Sequence, residues 1–239
     1  MKFRLDNADR LLPTQPVLKE LYKGSDDQYF DDLLSRLSSV IGFNNVAERY
    51  DLSLPEGINY ETLGSSVSNL ALFSMMVSMG RYKTILEIGT FVGVSAMFLA
   101  EAAGDDGRVI TLEIGEEFAE IARKNISSNG FDDRIKLIHG DANQSIEQAH
   151  EEAGGFDLVF LDGDKGAYCK LFIRLLDMLN PGGAIVVDDA LFHCDVLNGV
   201  ATTEKGQGVA DLLDLVADRE DLQRCFLPVE NGVLIVRKP

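Results

Sequence analysis

Three aspartates have the residue type and the spacing to bind a metal ion. Asp162 lies in LDGDK (161–165), and Asp188 and Asp189 lie in VDDALFH (187–193). Both segments follow apolar runs that predict buried strands, so the three carboxylates are expected at one rim of a sheet. Their mutual repulsion favours a cation among them, and an all-oxygen set suits Mg²⁺, Ca²⁺ or Mn²⁺. The alternative is that each aspartate only caps a helix or starts a turn.

Lys165 could supply acid–base chemistry beside these aspartates. It lies three residues after Asp162, on the turn that enters the next helix. In a partly dry pocket beside a metal, the pKa of its ammonium group is expected to fall, so that it could act as a general base toward an acceptor hydroxyl. The alternatives are a solvated surface lysine, or a lysine whose charge is neutralised by Asp164.

A turn with two glycines predicts a cofactor site. The segment LEIGTFVGVSA places Gly89 and Gly93 where a strand passes into a helix, and glycine permits a tight turn and close backbone approach. The spacing is G-x-x-x-G with Phe91 in the middle and Glu87 nearby, which suits a pyrophosphate badly. A cofactor with an ammonium and a sulfonium group and no phosphate tolerates that acid. S-adenosylmethionine is therefore favoured over NAD.

Two further strand ends carry acids that suit the remaining parts of such a cofactor. Glu113 ends the run RVITLE, 24 positions after Gly89, where an acid can accept both hydroxyls of a ribose. Asp141, in GDA (140–142), could hold an adenine edge with its side chain and backbone. The alternative is a tight turn without a ligand, and Glu113 argues against it.

The elements that must position these residues alternate along the chain. From Lys83 onward, short β-branched runs alternate with helical segments, which predicts right-handed βαβ units in a parallel sheet. The last two runs, CFLPV and GVLIVRK, are separated by Glu230 and Asn231 alone, which predicts a hairpin and an antiparallel last strand. The other strands are predicted near 83–88, 108–113, 135–139, 156–161 and 183–188, and the helices near 94–103, 116–128, 143–152, 166–179 and 207–217.

Residues 1–80 instead have a helical pattern. Apolar residues recur every three or four positions over 15–24, 26–42 and 65–80, and a glycine closes each segment. Because no linker or repeat is visible, one domain is predicted over 1–239. It comprises an N-terminal helical cap (1–80) and an α/β cofactor-binding core (81–239).

Composition restricts the partners. Acidic side chains outnumber basic ones 39 to 22, and the formal charge of −17 would repel nucleic acid and anionic lipid. No apolar run is long enough to span a bilayer, and the start MKFRLDNADR lacks the apolar stretch of a signal peptide, which predicts a cytoplasmic protein with a small-molecule substrate. Three cysteines without metal-type spacing, Cys169, Cys194 and Cys225, are expected to be reduced thiols.

At these motifs the chain resembles the cation-dependent O-methyltransferases related to caffeoyl-CoA and catechol O-methyltransferases. The resemblance spans roughly residues 60–239. It implies a Rossmann-like α/β fold with a seven-stranded sheet that is mostly parallel with an antiparallel last strand, helices on both faces and an N-terminal helical extension, usually as a homodimer. The motifs that carry it are LEIGTFVGVSA, VITLE, GDA, DLVFLDGDKGAY, LNPGGAIVVDDALFH and LPVENGVLIVRK.

The resemblance also implies roles for individual residues. The metal would be held by Asp162, Asp188 and Asp189, with Lys165 as the base. The family usually has Asn at the third metal position, so the extra charge of Asp189 is expected to tighten metal binding or to shift the preference toward Ca²⁺ or Mn²⁺. A second departure is LGSSVSNL (63–70), where plant members have a more acidic stretch. The S-adenosylmethionine site would comprise Leu63, Ser65, Glu87, Gly89, Phe91, Ser95, Glu113, Ile114, Asp141, Ala142 and Asp162.

The implied reaction is methyl transfer to oxygen. The metal would bind two adjacent oxygens of a small catechol-like or phenylpropanoid acceptor, lower the pKa of one hydroxyl and hold it in line with the sulfonium methyl group. Lys165 would remove the proton. Three alternatives stay open: a tRNA hydroxyuridine O-methyltransferase of the same family, which the charge of −17 disfavours, an NAD-dependent oxidoreductase, and a cofactor-binding protein without catalysis.

Overall fold

A seven-stranded sheet lies at the centre of the computed structural model, which describes residues 40, 46–58, 60, 64–197 and 200–239. The strand order is β3-β2-β1-β4-β5-β7-β6. Since the order reverses between β1 and β4, a crevice is expected there at the carboxyl edge of the sheet. The strands are β1 (Thr84–Ile88), β2 (Arg108–Glu113), β3 (Ile135–His139), β4 (Phe156–Leu161), β5 (Leu179–Val187), β6 (Gln223–Leu227) and β7 (Val233–Arg237).

The strand directions follow from the connections. Strands β1 to β5 pair in parallel, because a helix separates each from the next along the chain. Strand β7 is antiparallel to both of its neighbours, β5 and β6, and a short link joins it to β6. The predicted parallel sheet with an antiparallel last strand is therefore confirmed.

Helices cover both faces of this sheet, as predicted. Helices α1 to α3 pack with alternate strand residues such as Ile85 on one face, and α4 to α6 pack with Leu86 and Ile88 on the other. None of the helices in the described ranges is long and apolar enough to cross a membrane. The helices are α1 (Val67–Gly80), α2 (Val94–Ala103), α3 (Glu116–Ser128), α4 (Ala142–Ala153), α5 (Tyr168–Met178) and α6 (Glu204–Ala217), with short 3-10 helices at Val46–Glu48, Lys165–Ala167 and Asp195–Leu197.

Most predicted boundaries agree with the structure to within a few residues, and β5 is the clearest difference. It begins at Leu179 and not near 183, because the chain shifts register there: Phe156 pairs with Leu179, but Leu158 pairs with Ala184. Gly182, with a φ of 79°, lies within this irregular stretch. Because a Pro-Gly pair in a sequence predicts a turn, the strand was predicted to begin only after it. The helices predicted over 15–24 and 26–42 lie, apart from Val40, outside the described residues.

Candidate active site

The predicted metal-binding and basic residues meet at the carboxyl ends of β4 and β5. The Asp162 backbone N–H donates to the Ile88 carbonyl (2.9 Å), and the Asp188 N–H donates to the Leu161 carbonyl (3.2 Å). Sheet hydrogen bonding thus continues just beyond the last residue of each strand. The side chains that follow are therefore held at one edge of the sheet.

Lys165 lies between two of the aspartates. Its Nζ is 2.8 Å from Asp162 Oδ1 and 3.1 Å from Asp189 Oδ2, and the residue is only 8% exposed. Burial disfavours its charge, but the surrounding acidic groups, Asp162 and Asp189 among them, outweigh burial and raise the pKa of Lys165 above its usual value. The predicted fall of this pKa assumes a bound metal ion and stays a prediction; in the arrangement seen here, Lys165 bridges two of the aspartates.

Asp188 is held by a different set of donors. Its carboxylate accepts hydrogen bonds from Asn69 Nδ2 (3.1 Å), from the Asp189 backbone N–H (2.9 Å) and, at 3.4 Å, from Ser65 Oγ. Burial, and then the charge of Asp162, raises the pKa of Asp188 to about 7. Both effects disfavour the ionised form, so the ionised carboxylate of Asp188 would be stabilised by a cation beside it.

Asp189 is fixed by its backbone and by the hairpin between β6 and β7. Its φ of 56° is left-handed, a conformation that Asp and Asn tolerate better than most residues. Asn231 Nδ2 donates to Asp189 Oδ1 (2.9 Å), and Asn231 Oδ1 accepts from the His193 backbone N–H (2.6 Å). A side chain from a distant hairpin therefore sets the position of the third predicted ligand.

The donor set fits a hard divalent cation by its chemistry. Three carboxylates (Asp162, Asp188 and Asp189) and one ammonium group (Lys165) give a formal charge of −2, and burial raises the pKa of Asp162 as well. The ligands are not arranged around one point: within the described ranges, no group of three or more His, Cys, Asp or Glu side chains is placed to hold a metal ion. A divalent ion would have to displace Lys165 from its bridging position.

The glycine turn after β1 borders the same cluster. Gly89 has a φ of 100°, and a Cβ atom there would lie 2.2 Å from the Asp162 carbonyl oxygen, so only glycine lets the turn pass this strand end. The turn, the start of α2 and the segment before α1 enclose a small cavity. It is lined by Tyr60, Gly64, Ser65, Gly89, Thr90, Phe91, Val94, Ser95 and Asp162.

Five of the predicted cofactor residues therefore line one cavity, and the others lie further along the sheet edge or outside the described residues. Glu113 accepts from the backbone N–H groups of Thr90 (3.1 Å), Phe91 (2.8 Å) and Gly115 (2.8 Å), so it also anchors the turn. Asp141 caps α4 by accepting from the Asn143 N–H. Of the rest, Ile114 is exposed, Ala142 starts α4, Glu87 is fully buried behind the turn and Leu63 is not described.

Some polar side chains in contact with the predicted residues were not recognised from the sequence, among them Asn69, Thr90, Thr111 and Asn231. Thr111 could have been found, because a polar residue inside a strand that is covered on both faces is unusual. Asn69 and Asn231 could not. They contact aspartates 119 and 42 residues away, and only the fold brings them together.

Sheet order and site together define the class of this protein as an α/β methyltransferase. The sequence model of the family described as O-methyltransferase matches residues 58–239. The chain belongs to this O-methyltransferase family, which confirms the resemblance seen in the sequence.

Individual relatives agree with this assignment. The chain is 30% identical to the catechol O-methyltransferase of Niastella koreensis over 183 residues, covering 76% of this chain and 83% of the relative. It is 27% identical to caffeoyl-CoA O-methyltransferase 2 of Petunia hybrida, covering 75% and 78%. Among solved structures, the O-methyltransferase from Bacillus cereus in complex with SAH is 25% identical, with a TM-score of 0.70 over 94% of this chain and 96% of that one.

Proposed function

We propose that this enzyme transfers the methyl group of S-adenosylmethionine to a hydroxyl of a small acceptor with two adjacent oxygens, catechol-like or phenylpropanoid, and that a divalent metal assists. The observation that carries the proposal is the cluster of Asp162, Asp188 and Asp189 with Lys165, beside the cavity at the glycine turn. The names of the relatives support this acceptor class, since they include catechol and caffeoyl-CoA O-methyltransferases.

The donor site is supported by the charges around the cavity. Glu87 is fully buried, and its Oε1 has no hydrogen-bond partner among the described residues, which suits an ammonium group. Among the residues that the structure describes, no Lys or Arg side chain lines the cavity, so it is poorly suited to a phosphate. The Bacillus cereus relative was solved with SAH, the product of such a donor. We therefore assign the methionine end of the donor to the cavity and its ribose to Glu113.

The three aspartates would hold the metal ion. When bound, a divalent ion would supply Lewis acidity. This would lower the pKa of an acceptor hydroxyl, so that the hydroxyl could ionise at neutral pH. The side chains that keep these ligands in place are neutral amides: Asn69 holds Asp188, and Asn231 holds Asp189. Because neither amide contributes charge, both contacts are compatible with a cation at the same site.

Lys165 Nζ is the atom that would accept the proton of the acceptor. It can do so only as a neutral amine, and Asp162 and Asp189 at present raise its pKa. Proton transfer therefore requires that the charges of these two carboxylates are first neutralised. The role of Lys165 as a base therefore depends on the charge of the metal site. A lysine whose pKa is raised by two carboxylates can still act as a base once a cation neutralises those carboxylates.

Labelled S-adenosylmethionine tests the proposal directly. The protein is incubated with catechols, phenylpropanoid-CoA thioesters or bulk tRNA, each with Mg²⁺ or with EDTA. We expect label only in the small acceptors, and only with the metal. Full transfer in EDTA would contradict the role of the metal, whereas label found only in tRNA would contradict the acceptor class and favour the tRNA-modifying alternative.

A further inference from the structure

A chain of buried polar groups links the two acids that we assign to opposite parts of the donor. Thr111 Oγ1 donates to Glu87 Oε2 and lies 2.5 Å from Thr90 Oγ1. The backbone N–H of Thr90 in turn donates to Glu113 Oε2 (3.1 Å). Glu87, Thr111 and Thr90 are each at most 1% exposed. Water therefore does not compete for these groups.

The register of the sheet places this chain. Glu87 of β1 and Thr111 of β2 are direct partners in the parallel pairing, so their side chains point to the same face, which α1 to α3 cover. Thr90 follows two residues after the end of β1, and the turn is fixed there because Gly89 donates its N–H to the Leu112 carbonyl (3.0 Å). The contacts thus follow from strand pairing and not from a mobile loop.

The hydroxyl of Thr111 determines which oxygen of Glu87 is free. A hydroxyl has one hydrogen to donate, so when Glu87 is ionised Thr111 gives its hydrogen to Glu87 Oε2, and Thr90 donates to Thr111. Glu87 Oε1 is excluded from solvent and has no hydrogen-bond partner among the described residues. An unpaired buried carboxylate oxygen is costly, and at a binding site it indicates a missing ligand group. Burial raises the pKa of Glu87, and the hydroxyls of Ser95, which lines the adjacent cavity, and of Thr111 oppose that rise.

We propose that Thr111 is a positioning residue for the methyl donor: it holds one oxygen of Glu87 and leaves the other free for the ammonium group of the donor. We place Thr111 out of contact with the donor, because its hydroxyl is already bonded to Glu87 Oε2 and Thr90 Oγ1, whereas Glu87 Oε1 has no hydrogen-bond partner among the described residues. The inference rests on the proposed function, since it assumes a donor with a methionine ammonium group. It extends that function by a residue that acts through Glu87 alone.

Two substitutions separate this role from simple packing. Thr111→Val keeps the shape of the side chain but removes the hydroxyl, whereas Thr111→Ser keeps the hydroxyl and removes a methyl group. Calorimetry would give the Kd of S-adenosylhomocysteine and of 5′-methylthioadenosine, which has the nucleoside and thioether but neither ammonium nor carboxylate. We expect Thr111→Val to weaken S-adenosylhomocysteine binding roughly ten-fold or more, as for a hydrogen bond to a charged group. Binding of 5′-methylthioadenosine should stay near the wild-type value, and Thr111→Ser should restore the selectivity.

Several outcomes would overturn the inference. Unchanged S-adenosylhomocysteine binding by Thr111→Val would show that Thr111 positions nothing. An equal loss for both ligands, or a loss with Thr111→Ser as large as with Thr111→Val, would show a packing role.

A second variant applies if Thr111→Val does not fold. Thr90→Val removes the next link and should cause a smaller loss of binding that is confined to S-adenosylhomocysteine; an equal loss for both ligands would contradict the inference. Wild-type protein that binds neither ligand would instead refute the proposed function.

Discussion

At the scale of single residues, the proposed mechanism depends on how Lys165 shares its charge with the aspartates. Its ammonium group contacts Asp162 and Asp189; Asp162 also lines the donor cavity, whereas Lys165 does not. The lysine can therefore be removed without removing a ligand of the donor. This separation between proton transfer and donor binding is open to experiment.

We expect Lys165→Met to lower kcat by roughly 10²- to 10⁴-fold, because a general base contributes about that factor. The Kd for S-adenosylhomocysteine should change little. Labelled methyl transfer and calorimetry measure the two quantities. Lys170→Met, at an exposed position on α5, is the matched control and should behave like wild type. A loss of donor affinity as large as the loss of turnover would contradict a role confined to the proton.

Asp189 stands where the family resemblance leads us to expect Asn, at the third proposed metal ligand. With Asp189→Asn, the formal charge of the cluster falls from −2 to −1, while Asn231 can still donate to the remaining side-chain oxygen. We expect turnover to persist at saturating Mg²⁺, with a several-fold higher concentration of metal needed for half-maximal rate, because Coulomb attraction to the ion is weaker. Titration of activity with Mg²⁺ measures this shift. An unchanged metal requirement would show that Asp189 does not contact the ion.

Glu87 gives a prediction for stability against pH. Burial raises its pKa from the usual 4.5 to about 8, so the folded protein keeps a proton that the unfolded chain has lost. The protonated Glu87 therefore contributes to the free energy of unfolding. This contribution is fully present below about pH 4.5 and is lost as the pH rises through about 8. The slope should not exceed about 1.4 kcal/mol per pH unit. Urea unfolding of wild type and Glu87→Gln at about pH 5 and about pH 8.5 tests this, and we expect a flatter dependence in the variant. Equal pH dependence in the two proteins would contradict it.

Sequence could predict the acids because of where they fall relative to the strands. Asp162 and Asp188 each follow a buried apolar run directly, so their place on the sheet edge is a consequence of strand pairing. The state of Lys165 could not be predicted in the same way, because its pKa depends on the balance between burial and two carboxylates. That balance is set by distances that no spacing in the sequence specifies.

At the scale of elements, the turn between β1 and α2 lies between the proposed donor cavity and the aspartate cluster. The sequence predicted a tight turn at Gly89 and Gly93. The structure shows why residue 89 is a glycine: its φ is left-handed, and an added Cβ would meet the end of β4. The bulge that lengthens β5 was not predicted, since pairing with β4 decides it. Periodicity locates elements, but it does not report on register.

We expect Gly89→Ala to destabilise the protein and to impair donor binding. A left-handed backbone costs a residue with a Cβ about 1–2 kcal/mol, and here the new atom would also meet the Asp162 carbonyl oxygen at 2.2 Å. Gly130→Ala is the matched control: its φ is +74°, and no atom lies within 4 Å of the added Cβ, so only the backbone cost applies. Thermal unfolding and calorimetry with S-adenosylhomocysteine compare the two. Equal effects would show that contact with the β4 end is unimportant.

At the scale of the whole molecule, fold and charge decide what the site can accept. The family match covers residues 58–239, which includes every strand and all six helices bounded here. The sheet order puts the three aspartates on one edge, and the formal charge of −17 is the reason that we propose a small acceptor and not a nucleic acid. The homodimer stays a prediction, which light scattering of the full chain can test.

The most direct test of the metal site is a crystal structure with Mn²⁺ and S-adenosylhomocysteine. Anomalous scattering identifies manganese independently of the surrounding side chains. We expect one peak bounded by the carboxylates of Asp162, Asp188 and Asp189, next to the sulfur of the bound nucleoside, with Lys165 displaced from between Asp162 and Asp189. A map without a peak at this position, in which Lys165 still bridges the two aspartates beside a bound nucleoside, would contradict the proposed mechanism.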